Sequence, residues 1–112
     1  MLVKIFEDQT QIAAAEVYAL DPPMGVAVAR LTPTEAYDSK RHANVIDGEF
    51  FGDRGDILQI ETDDGTAIVC RVISIQDYPT LNERYVEMIG ITEPSFEKLF
   101  ADHPDFMSYW GR

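Results

Sequence analysis

Asp63-Asp64-Gly65-Thr66 stands between two apolar runs, with Ile57, Leu58 and Ile60 before it and residues 67–75 after it. An Asp-Gly pair flanked in this way is a sign of a tight β-hairpin. It is expected here as a type I′ turn, whose two central residues both need φ > 0. The feature commits the middle of the chain to antiparallel pairing. Residues 84–91 supply another strand after the closing signal Asp77-Tyr78-Pro79-Thr80, with Tyr85, Ile89 and Ile91 expected on one face and Glu87 as its polar exception.

The N-terminal third follows the same logic. Residues 2–20 mix helical spacing with strand-like composition and are read as a short first element followed by a strand over about 13–20. Asp21-Pro22-Pro23-Met24-Gly25 breaks it, because prolines cannot donate to a ladder and glycine accepts positive φ. Val26–Leu31 then reads as a second strand pairing back on the first. Thr32-Pro33-Thr34-Glu35 looks like a helix start, with Thr at the N-cap, Pro at N1 and Glu at N3, and predicts a helix over 33–41. Two short helices, over about 94–101 and 104–110, are expected from Pro94 and Pro104. Their i,i+4 pairs Phe96/Phe100 and Phe106/Trp110 give each an aromatic stripe, expected to dock on the sheet.

The expected fold is therefore α+β in one domain over residues 1–112. It is an antiparallel sheet of about four to six strands, with the hairpin at Asp64-Gly65, one helix near 33–41 and two short C-terminal helices packed on it. No βαβ alternation points to a parallel sheet. A chain of 112 residues folds to a surface of roughly 6,200 Å² against roughly 18,000 Å² extended, enough burial for a core without staples.

Charge narrows the partners. Nine Lys+Arg against twenty Asp+Glu leave a net charge of −11, divided −5 and −6 between residues 1–56 and 57–112. No acidic tail carries it. Such a field repels phosphate and anionic lipid, so neither nucleic acid nor membrane is an expected partner. A basic protein would be attracted, in a salt-dependent way. Cys70, the single cysteine, lies in the apolar run Ile68-Val69-Cys70 and is read as a buried hydrophobe. The apolar start Met1–Phe6 is too short for a signal h-region, and the expected compartment is the cytoplasm.

No catalytic or cofactor signature is present, and the reading leans away from an enzyme. His42 and His103 have no metal-type ligand at helical spacing on a shared element. Asp63-Asp64-Gly65 lacks the first two positions of a calcium loop, and Gly52-x-x-Gly55 is too short for a phosphate loop. No metal or cofactor is expected. One segment stands out. Between Asp47 and Asp56, three glycines and four acids surround Phe50 and Phe51. Adjacent residues of an extended chain point to opposite sides, so one phenylalanine at most reaches a single core face. Asp47, Glu49, Phe50, Phe51, Asp53 and Asp56 together resemble an aromatic anchor in an acidic rim, suited to a basic surface.

The first functional reading is thus a small acidic protein-binding module of the inhibitor or immunity type. Two others stand beside it. One is a ligand binder or small enzyme with a sheet–helix pocket at Tyr37, His42 and Tyr78. The other is a homo-oligomer joined through the aromatic C-terminal helices.

Overall fold

Alternation with period two runs through most of the chain, and the computed structural model, which describes residues 1–109, turns it into a barrel. Strands β1 (Leu2–Glu7), β2 (Thr10–Asp21), β3 (Val26–Pro33), β6 (Leu58–Thr62), β7 (Ala67–Tyr78) and β8 (Glu83–Glu93) pair in the cyclic order β1-β2-β3-β8-β7-β6 and back to β1, every pair antiparallel. Two further strands, β4 (Val45–Ile46) and β5 (Glu49–Phe50), extend the sheet from β7, β4 running parallel to it. The fold is sheet-rich with three short helices, as expected. The sheet itself differs from the open one expected: six strands close on themselves and two are added outside. Closure depends on the β3–β8 and β1–β6 ladders, which join residues more than fifty apart and leave no local trace in the sequence.

Inside, small and large residues share the limited volume: Ala13, Ala15, Ala27 and Ala29 face Ile5, Ile60, Ile75 and Met88, all buried. On β8 the buried residues are Val86 and Met88, the opposite face from the one expected. Gly90, at φ 69, then interrupts the alternation and lets Ile91 turn inward, so no single face runs the length of this strand.

The long hairpins β2–β3 and β7–β8 turn in the same manner. Each has a proline-led 3-10 turn (Pro22–Met24, Pro79–Leu81) that ends on a left-handed residue, Gly25 and Asn82. The hairpin at Asp64-Gly65 forms as expected, but only Gly65 has positive φ. Gly65 N–H donates to Thr62 O and Thr62 N–H to Thr66 O, which makes a three-residue loop closed by a glycine bulge instead of a type I′ turn. The Asp64 carboxylate accepts from the Thr62 and Thr66 hydroxyls and from Thr66 N–H, and so favours the longer loop. The turn with both central residues at positive φ is at the chain's other Asp-Gly pair, Asp47-Gly48, between β4 and β5.

The helix expected over 33–41 is not formed. Pro33 pairs with Ala13 at the end of β3, and Thr34 sends its N–H to Ile12 O and its hydroxyl to Gln11 O. Those bonds hold the chain extended where a helix start was expected. Only α1 (Ser39–His42) follows, capped by the Asp38 carboxylate on Lys40 N–H. At the opposite end, α2 (Phe96–Phe100) begins after a Ser95 cap, so Pro94 precedes the helix instead of opening it. Phe96 packs at a tilt against Phe100 and Phe106, and the latter two are buried in the core; α3 spans Pro104–Tyr109. These rings face inward as expected; Trp110, the other half of the second pair, lies outside the described residues.

Candidate functional site

The segment 34–44 is bonded to Gln11, Glu7 and Asp77 at one end of the barrel, and its side chains plug that mouth with polar groups. His42 is buried, with both ring nitrogens engaged: Nδ1 accepts the Asp38 N–H at 2.9 Å, and Nε2 lies 2.8 Å from Glu7 Oε1. An acceptor role for Nδ1 assigns the ring proton to Nε2, which donates to Glu7. The Arg41 guanidinium also forks onto Glu7, with Nε 2.8 and 3.0 Å from its two oxygens. Hydrogen bonds from Arg41 and His42 hold the Glu7 carboxyl down to about 2. Tyr37 stacks on the His42 ring and donates its hydroxyl to Asp77 Oδ2 at 2.8 Å. Burial and that carboxylate push the phenol well above its ordinary value. Asp77 is buried at the end of the inward series Ile73, Ile75, Asp77, with Arg84 Nε 3.2 Å from Oδ1.

Asn44 completes this plug. It donates its backbone N–H to Ile75 O and its side-chain amide to Ile73 O, and its Oδ1 accepts Ile75 N–H. In effect the side chain replaces a missing strand beside β7. Most of the plug's polar atoms are hydrogen-bonded within it, while Asp77 Oδ1 and Arg84 Nε meet as an ion pair without a hydrogen bond. Tyr37 and His42 meet as the pocket reading requires, yet they fill the space with their own rings. Tyr78 packs on the other side, against Tyr85. The His42 ring therefore offers no free nitrogen to a substrate.

The 47–56 segment sits immediately outside. Asp47 N–H donates to Asp77 O and its carboxylate accepts the Thr80 hydroxyl, which roots the β4–β5 hairpin on the barrel. Phe51 N–H donates to Asn44 O at 2.7 Å. The edge strand then places Phe50 and Phe51 in solvent, 69% and 48% exposed. Of the two rings neither reaches the core. Glu49 and Asp56 are exposed, with no ion pair or hydrogen bond among the described residues. Asp53 accepts the N–H of Gly55 within its own loop. Asp53 and Asp56 also line a depression of about 580 Å³ shared with Asp38, Lys40, Arg41 and Arg54, so their side of the segment is mixed in charge. The structure thus brings Asp47, Glu49, Phe50 and Phe51 together on one hairpin and sets Asp53 and Asp56 on the loop that follows.

Sequence reasoning joined Tyr37 to His42 but missed their plug partners Glu7, Arg41, Asn44, Asp77 and Arg84. The one local signal was Asp77, an acid in register with two inward isoleucines. Cys70 is half-buried, and burial pushes its thiol up to about 11, in keeping with a quiet hydrophobe. Among the described residues no group of three or more His, Cys, Asp or Glu side chains is placed to hold a metal ion, and no helix is long and apolar enough to cross a membrane. Comparison with protein families, with curated proteins and with solved structures finds no match to this chain.

Proposed function

We propose that the chain is a protein-binding module of the inhibitor or immunity type, which engages a basic partner through the β4–β5 hairpin. The observation that supports this reading most is the exposure of two adjacent phenylalanines on an outermost strand that is itself firmly rooted. A rigid aromatic pair loses little entropy on docking and buries a large apolar area, and such anchors carry most of the energy at protein interfaces. Glu49 beside them, Asp56 nearby and the net charge of −11 favour a cationic surface. The C-terminal aromatic stripe, by contrast, is turned into the core, which removes the ground for an oligomer built on Phe100 and Phe106.

The test is affinity capture with wild type, Phe50→Ser/Phe51→Ser and Glu49→Lys/Asp56→Lys as parallel baits. One stoichiometric basic protein is expected on the wild type, released by high salt and absent from both variants. Retention by both variants, or release indifferent to salt, overturns the reading.

A further inference from the structure

The barrel wall has one incomplete seam. β6 and β7 pair only at Ile60↔Ile68 and Glu61↔Ala67. Just beyond, near the irregularity that its pairing with β8 has between Val69 and Cys70, β7 parts from β6, and that edge is next taken up by Asn44 at Ile73–Ile75 and by β4 at Gln76–Asp77. Ladder periodicity tells which groups are stranded between. Ile73 and Ile75 turn their backbone groups to the Asn44 side and Asp77 its carbonyl to Asp47, so Arg71, two residues earlier, turns its N–H and C=O the same way. On β6, Thr62 N–H points across the hairpin to Thr66, so Leu58, four residues back, also faces the seam.

Between these edges lies a groove of about 390 Å³ floored by Leu58, Ile60, Ile68, Cys70 and Ile73, with Gly55 on its rim. Strand edges that no neighbouring strand covers, beside apolar side chains, are what an added strand recognises. Charge defines the occupant further. Glu61 is the one charged residue that lines the groove, on a chain whose net charge is −11. The Arg71 side chain lies across Gly90 on the β8 side, away from the gap, and Arg54 is turned to Lys40 O.

We propose that this seam accepts an extended, basic peptide segment of a partner protein as an inserted strand, paired through Arg71 and Leu58, with alternate apolar side chains in the groove. The site is separate from the phenylalanine hairpin and does not depend on it.

A heptapeptide alternating lysine and valine serves as the probe, added to isotope-labelled protein and followed by amide NMR. Shifts are expected at residues 58–60 and 69–73, with exchange of the Arg71 and Ile73 amides slowed by about tenfold at saturation. N-methylation of the peptide at alternate residues, in each of the two registers, is expected to weaken binding by about tenfold or more in at least one of them. The same peptide with glutamate in place of lysine is expected not to bind, and Phe50→Ser/Phe51→Ser to bind like wild type. No shifts at the seam, unchanged Arg71 and Ile73 exchange, or full binding by both N-methylated peptides overturns the proposal. Loss of binding in the phenylalanine variant also overturns it, since the peptide would then be reading the hairpin.

Discussion

Two groups of acids, Glu7 with Asp77 and Glu49 with Asp56, differ in burial and in pairing. In the plug, Glu7 and Asp77 are drawn into the barrel mouth and met by Arg41, His42, Tyr37 and Arg84. On the 47–56 segment, Glu49 and Asp56 stay in water without a partner among the described residues, and the groups beside Glu49 are exposed phenylalanines. A carboxylate inside the protein is tolerated only when its charge is answered there; one outside remains available to another molecule. The difference separates the acids that hold the fold from those that can serve recognition.

Substitutions can break this comparison at its strongest point. Asp77→Ala leaves Arg84 without its ion-pair partner and the Tyr37 hydroxyl without its acceptor, an expected loss of about 3–5 kcal/mol in denaturant unfolding. Asn44→Ala strands Ile73 O and Ile75 N–H and is expected to cost about 2–4 kcal/mol by the same measurement. Glu7→Gln is expected to lower the thermal midpoint in a pH-dependent way. A carboxyl held near 2, below its ordinary 4.5, stabilises the fold above pH 4.5 and loses that contribution as pH falls toward 2. The gap between wild type and variant is therefore widest near neutral pH and closes on acidification. A constant gap means that Glu7 acts through packing and not through charge. Glu49→Lys/Asp56→Lys, in contrast, is expected to shift unfolding by no more than about 0.5 kcal/mol. A larger loss would place these acids with the structural group.

The two groups also differ in how they show in the sequence. The phenylalanine hairpin is local: ten residues contain its turn, its rings and its charges, so composition alone marks it out. The plug joins Glu7 to His42 across 35 positions and Tyr37 to Asp77 across 40, through pairings that only the closed barrel creates. The strands follow the same division. β3, β6 and β7 are legible from their turns, whereas barrel closure is not, since it rests on ladders between distant strands. Thr32-Pro33-Thr34 is ambiguous in isolation. A helix cap and a strand end use the same residue types, and the bonds from Thr34 to Gln11 and Ile12 settle it as a strand end. β8 misleads because Gly90 shifts its alternation partway along.

The proposed recognition surface joins Phe50 and Phe51 to Glu49 and Asp56, the acids left unpaired among the described residues of this segment. Its most direct test is the affinity of wild type and Glu49→Lys/Asp56→Lys for the captured basic partner, measured at low and high salt. Strong salt-dependent binding is expected of the wild type, and weak binding with little salt dependence of an equally stable variant. Equal affinity for both proteins, falling equally with salt, would contradict it.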